Sequence, residues 1–258
     1  MRILFIRHGE PDYEHDTLTE RGWREAELLA EQIESLSPGE IYVSPLGRAR
    51  DTASCSLKKL GREEIILPWL EEFAARVDPN LSEEVRQAYA TELKMVDGRY
   101  KPRIVWDILP SYWTEHAEYY HPEDWRNSEI ARCSDMVEQY DKVCAGLDAL
   151  LAEHGYVREG RRYHVEKSSS DTITFFCHFG ITAVMLSHLW SCSPFITLQH
   201  TVTAPSSVTE IFTEERQQGI ADFRLTRLGD VFHLTSVGEK PSFHARFCER
   251  YENTEERH

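Results

Sequence analysis

The sequence predicts an α/β fold, a three-layer α/β/α sandwich around a mostly parallel sheet, with a largely helical cap insertion. Two observations carry this expectation. The first 70 residues run strand, helix, strand, helix, strand, an alternation that builds a parallel sheet with covering helices. Far along the chain, DTITFFC hands over directly to GITAVMLSHLW, another strand followed by a helix. Between them, residues 74–160 lose the alternation. The chain therefore reads as one domain over 1–258 with a cap, or substrate-specificity insertion, at 74–160.

Each element has a local reason. Ile3, Leu4, Phe5 and Ile6 form an unbroken apolar run, as expected of a strand buried on both faces. PDYEHD then reads as a turn. Thr19 is an N-cap, with Leu18 and Trp23 at the positions of a hydrophobic staple. Ala26, Leu29, Ala30 and Ile33 recur at helical spacing until Pro38 and Gly39. IYV at 41–43 is a second strand. Ser44 and Pro45 read as the N-cap and first residue of a helix whose buried stripe is Leu46, Ala49, Ala53, Leu57 and Leu60. EEIIL at 63–67 is a third strand, stopped by Pro68.

In the insertion, SEEVRQAYATELKMV reads as helical, and an aromatic-rich segment carries Trp106, Tyr112, Trp113, Tyr119, Tyr120 and Trp125. Ile130, Cys133, Val137, Tyr140, Cys144, Leu147 and Leu151 predict one long helix, ended by Gly155. SVTEIF and IADFRLTRL predict paired strands, and ERYENTEERH a solvated tail.

Composition narrows the function. With 29 basic and 44 acidic residues the net charge is -15, which argues against a nucleic-acid or anionic-membrane partner. Any anionic substrate must be held by a local cluster of arginines against the overall field. No apolar run approaches the roughly 18 residues of a membrane span, the first residues do not resemble a secretory signal, and a cytoplasmic location is the expectation. Cys55, Cys133, Cys144, Cys177, Cys192 and Cys248 form no C-x-x-C pair, so buried thiols are expected rather than a disulfide framework or a metal site. His116 and His121 are spaced poorly for one helix face. No metal and no cofactor are expected; the oligomeric state is not legible.

FIRHGE and FFCHFG end alike. Each is an apolar strand whose carboxyl end delivers a histidine, with a glycine one or two residues later. Ligands of open parallel sheets bind outside those carboxyl ends, so neighbouring strands would bring His8 and His178 to one crevice. Arg7 adjoins His8, and Arg48 falls in the first turn of the second helix; Arg50 competes with it, its alternative being a surface ion pair. Two imidazoles and two guanidinium groups suit phosphoryl transfer, in which charge on the equatorial oxygens must be neutralised. Arginine offers fixed bidentate donors, and imidazole can serve as a nucleophile. A leaving alkoxide also needs a proton, hence a carboxylic acid.

RHGE at 7–10, LTERG at 18–22, SPLGRARDTA at 44–53 and CHFG at 177–180 resemble the histidine phosphatase superfamily, which includes the cofactor-dependent phosphoglycerate mutases. The resemblance implies that His8 is the phosphorylated nucleophile, that Arg7 and Arg48 clamp phosphate, and that His178 is the pocket's second imidazole. The family's acid follows the third strand in an L-x-E context, here Leu70-Glu71-Glu72, which points to Glu72 with Glu71 beside it. The chain departs from the family at FAAR, where Phe-Gly is usual, and at Phe179, where many members have glycine. Phe179 would narrow the pocket, while its backbone N–H would still reach phosphate. Glu10 either contacts the site or solvates the turn. Tyr13, Tyr112, Trp113, Tyr119 and Tyr120 are further candidates for substrate contact.

The expected activity is hydrolysis of a small phosphorylated metabolite. Two alternatives stand beside it: phosphoglycerate mutase-type transfer and a non-catalytic phospholigand-binding module. Glu14, standing where mutases carry asparagine, would repel a second anionic group and favours hydrolysis.

Overall fold

The computed structural model describes residues 1–91, 93–243 and 252–253. Cys248 and most of the predicted C-terminal tail lie outside the described residues. The chain forms two compact units, one of Met1–Glu72, Leu150–Thr182 and Val202–His258, the other of Phe73–Ala149 and Ala183–Thr201.

The first unit is built on an eight-stranded sheet. Its strands are β1 (Arg2–Arg7), β2 (Glu40–Val43), β3 (Ile65–Ile66), β4 (Tyr156–Glu159), β5 (Arg162–Val165), β6 (Thr172–Cys177), β7 (Val208–Gln217) and β8 (Ile220–Asp230), in the order β4-β5-β8-β7-β1-β6-β2-β3. β1, β6, β2 and β3 are mutually parallel. β7 joins β1 antiparallel and is followed outward by β8, β5 and β4. The expected α/β class is observed, and the predicted strands are present; the β4–β5 hairpin was not foreseen.

β1 lies in the middle of this sheet, so both its faces must be apolar. Leu4 and Ile6 face a buried cluster with Ile41, Val43, Phe176 and Val208 of neighbouring strands and with Leu29, Ile33, Ala53 and Leu57. Those last four come from helices α1 (Glu20–Gln32) and α2 (Gly47–Leu60) and the residue capping α1. On the alternate positions Phe5 stacks on Phe175 at 5.6 Å, and Tyr42 and Trp69 meet the same ring at 5.9 and 6.1 Å. Each such side chain, fully buried, contributes about 1.5–3 kcal/mol.

Details differ from expectation for local reasons. PDYEHD is bracketed by a two-pair hairpin, Pro11↔Leu18 and Asp12↔Thr17. Thr19 caps α1 as predicted, its hydroxyl accepting from the Gly22 N–H at 3.1 Å. The staple's Trp23 is 37% exposed, however. Gly39 follows with φ 59°, and a Cβ there would lie 1.8 Å from the Thr172 carbonyl oxygen, so only glycine fits. The third strand shrinks to two exposed residues at the sheet edge. At the other side, β8 pairs with β5 only through Ile220 and Ala221. Its register against β7 shifts at three places.

The second unit has helices α3 (Glu83–Ala88), α4 (Pro110–Trp113) and α5 (Glu129–Arg132), with most of α6 (Met136–Glu153) and α7 (Phe179–Trp190), and α8 (Pro194–His200). The helix expected through residue 96 stops early. Asp97 (φ 50°) and Gly98 (φ 77°) instead turn Met95–Val96 back onto Arg99–Tyr100, the Asp-Gly signature of a tight hairpin. The single helix expected from 130 to 151 is interrupted after Arg132. There Ser134 bridges Val77, and the Cys133 carbonyl accepts from Asp78 N–H at 2.9 Å. Tyr119, Trp125 and Phe195 are fully buried together, with ring separations of 4.6 Å (Tyr119–Phe195) and 6.2 Å (Trp125–Phe195).

Cys133, Cys144 and Cys177 are buried free thiols, and Cys55 and Cys192 are half-buried. Among the described residues no helix is long and apolar enough to cross a membrane, and no metal-ligand cluster of three or more groups occurs.

Candidate active site

Parallel pairing sets the register. Arg7 is opposite Cys177, and the His8 N–H donates to the Cys177 carbonyl at 3.0 Å. His8 and His178 therefore leave adjacent strands side by side, with ring centroids 5.1 Å apart and planes at 57°. Next to β6, β2 ends at Ser44, whose N–H donates to the Phe176 carbonyl. The Ser44 hydroxyl lies 2.7 Å from His178 Nε2. Both imidazoles are buried. Burial, reinforced by His8, Arg48 and Arg7, holds His178 well below the usual imidazole range, so its ring is neutral.

His8 Nδ1 lies 2.7 Å from the Gly9 carbonyl oxygen. A carbonyl only accepts, so Nδ1 carries a proton, and in the neutral ring the lone pair is on Nε2. The turn after it is tightly fixed. Gly9 N–H donates to Thr52 Oγ1 at 2.9 Å, and that hydroxyl donates to the Arg48 carbonyl at 2.7 Å. Gly22 passes so close that a Cβ on it would lie 2.2 Å from the Glu10 carbonyl oxygen.

Arg7 is buried, with Nη1 donating to the Thr203 carbonyl and its guanidinium 5.9 Å from the Phe179 ring. Its pKa is lowered by burial; Tyr13 and Glu72 oppose that fall, while Arg48 adds to it. Arg48, in the first turn of α2, is held by Asp16 at 2.5 Å, and the same carboxylate accepts from the Gly47 N–H at 2.7 Å. Tyr13 covers this pair. Its ring lies 5.4 Å from the Arg48 guanidinium. Arg50, by contrast, is exposed and paired with Glu64 at 2.5 Å.

Glu72 is half-buried, and its Oε1 accepts from the Ile181 N–H at 3.1 Å, in the first turn of α7. Glu71 is exposed. The structure thus brings His8, His178, Arg7, Arg48, Tyr13, Glu72 and Phe179 into one neighbourhood. It does not bring the Glu10 carboxylate there: that group accepts from Thr19 Oγ1 at 2.9 Å and from the Ser242 hydroxyl, with Arg21 at 3.7 Å. Tyr112, Trp113 and Tyr119 are buried among the aromatic rings of the second unit, and Tyr120 is exposed.

Three groups at the site were not foreseen. Ser44, read as a helix N-cap, spends its hydroxyl on His178; α2 begins at Gly47 with Leu46 as its cap. Asp16 lay in a segment read only as a turn. The 203–207 loop receives Arg7 Nη1 at Thr203 and Arg7 N–H at Ser207, and donates Ser206 N–H to the His8 carbonyl. Among these only Ser44, inside the SPLGRARDTA motif, carried a sequence signal.

A model of the histidine phosphatase superfamily (branch 1) matches residues 3–104, a stretch that holds RHGE, LTERG and SPLGRARDTA but ends before CHFG. The probable phosphoglycerate mutase GpmB of Photorhabdus laumondii is 35% identical over 81 residues, 28% of this chain and 38% of that protein. The match thus spans well under half of that relative's length. Among solved structures, a phosphoserine phosphatase mutant from Entamoeba histolytica, in complex with phosphoserine, superposes over 90% of this chain and 98% of its own, with TM-score 0.56 and 15% identity. A mycobacterial glucosyl-3-phosphoglycerate phosphatase covers 88% and 98%, with TM-score 0.56 and 16% identity. These likenesses establish the fold.

Proposed function

We propose, from the premise that this chain carries the histidine phosphatase sequence and fold, that it hydrolyses a small phosphomonoester through a phosphohistidine on His8. The observation that carries the reading is the pair of buried rings 5.1 Å apart, with His8 Nδ1 committed to a carbonyl and two arginines beside them. In the proposed first step His8 Nε2 attacks phosphorus. The N–P bond forms, the ester P–O bond breaks, and the protonated Glu72 carboxyl gives its proton to the leaving oxygen. In the second step the Glu72 carboxylate takes a proton from water, whose oxygen attacks phosphorus, and the N–P bond breaks to restore His8.

Arg7 and Arg48 clamp the equatorial oxygens. Neutral His178, steadied by Ser44, donates a hydrogen bond rather than a second charge. Tyr13 borders the two clamps and meets the bound phosphoryl group. No metal ion takes part, so hydrolysis should persist in chelator. A phosphomonoester panel would identify the leaving group.

Rapid quench with labelled p-nitrophenyl phosphate tests the scheme. Acid-labile, base-stable phosphoprotein should accumulate in the wild type and be absent from His8→Ala, with turnover down by about 10⁴-fold or more. Equal hydrolysis by His8→Ala would sink the mechanism.

A mutase reading has one observation in its favour, the partial match to a probable phosphoglycerate mutase. Isomerisation of a phosphoglycerate faster than its hydrolysis would select it. Phosphate binding without turnover across the panel would select a binding module instead.

A further inference from the structure

We propose that His233 is a positioning residue for the nucleophile turn, acting through Ser206 on the backbone of Arg7 and His8; this rests on His8 being the nucleophile. The 203–207 loop grips the reactive pair at three points. The Ser207 carbonyl accepts from Arg7 N–H at 3.0 Å, the Ser206 N–H donates to the His8 carbonyl at 2.9 Å, and the Thr203 carbonyl accepts from Arg7 Nη1.

No regular secondary structure holds this loop. Ser206 has φ 60°, a left-handed conformation that a residue with a Cβ keeps only when its surroundings enforce it. Beside the backbone bonds of the turn, its side chain is held by the bond between Ser206 Oγ and His233 Nε2, 2.9 Å long, with both residues buried. Burial lowers His233 to about 4, so near neutral pH it is an uncharged hydrogen-bonding strut.

His233 lies on α9 (Phe232–Thr235), a four-residue helix that needs anchoring from outside. The chain after it supplies this along α1. Gln32 donates to Ser236 Oγ at 3.2 Å, Arg24 pairs with Glu239 at 3.1 Å, and Arg21 Nη2 donates to the Lys240 carbonyl at 2.5 Å. The segment ends at Ser242, whose hydroxyl donates to the Glu10 carboxylate. One C-terminal segment thus braces the RHGE turn on both flanks, behind His8 through Ser206 and beyond Gly9 through Glu10.

The test uses the full chain with three variants. His233→Phe keeps ring bulk and loses the bond, His233→Gln offers an amide near the Nε2 position, and Ser206→Gly cuts the bond from the other end while tolerating positive φ. In rapid-quench phosphorylation by p-nitrophenyl phosphate, burst amplitude counts competent sites and burst rate reports alignment. His233→Phe and Ser206→Gly should slow the burst on the order of 10-fold to 100-fold with amplitude unchanged. His233→Gln should recover most of the rate. Amide exchange at Ser206 should quicken in His233→Phe and not in His233→Gln.

A wild-type burst rate in both bond-cutting variants, or activity lost only in proportion to amplitude, overturns the brace alone. Absence of phosphohistidine in the wild type overturns the nucleophile reading and the brace with it.

Discussion

At the scale of single residues, the site's legibility follows from where each residue sits in sequence. His8 and His178 stand at the ends of unbroken apolar runs, so strand patterning marks both. Ser44 was hidden because Ser-Pro has the composition of a helix start, whereas here its hydroxyl serves an imidazole 134 positions away. Asp16 and Ser206 act through contacts no local pattern encodes. The buried Glu25 gives a residue-scale prediction. Its Oε2 accepts from the Glu10 N–H at 2.8 Å, and burial raises its pKa. An acid whose folded value is raised stabilises the fold most below its unfolded value, about 4.3, and that contribution is lost as pH rises through the folded value. Glu25→Gln keeps an accepting oxygen and removes the ionisation. Urea denaturation should show the variant gaining stability on wild type as pH goes from 4 to 8; a constant difference would contradict this.

At the scale of elements, patterns with a strict period were readable and junctions were not. The parallel strands and α1 follow from apolar spacing and a cap. The interruption after Arg132 was missed because Ile130, Cys133 and Val137 keep helical spacing across it, while the pairing that breaks it comes from distant Val77. Two forces compete at Gly22 inside α1. Helix propensity favours alanine there by about 1 kcal/mol. Against this, the new Cβ would lie 2.2 Å from the Glu10 carbonyl oxygen, a backbone contact that cannot rotate away. Relieving such a clash costs about 1–3 kcal/mol, so strain wins. Gly22→Ala should lower the unfolding midpoint and disturb the RHGE turn, read together by calorimetry and the rate of p-nitrophenyl phosphate hydrolysis. A stabilised variant would show that the turn gives way freely.

At the scale of the whole molecule, the second unit draws on two chain segments, Phe73–Ala149 and Ala183–Thr201. Phe195 in the latter is buried against Tyr119 and Trp125 of the former. Excising 73–149 and closing the gap should therefore leave an apolar surface without its partners, and size-exclusion chromatography should find aggregate rather than a monodisperse, smaller protein. The net charge of -15 favours solubility in the intact chain, and makes the arginine cluster at the strand ends a local exception to the overall field. The outer rim of β8 has a consequence of its own. Past Ala221 no described strand covers it, yet its spacing against β7 is irregular, and Arg224 and Arg227 are tied to Glu214 and Asp230. A stray polypeptide arriving there would find a crooked, charge-studded template, a poor seed for fibril growth.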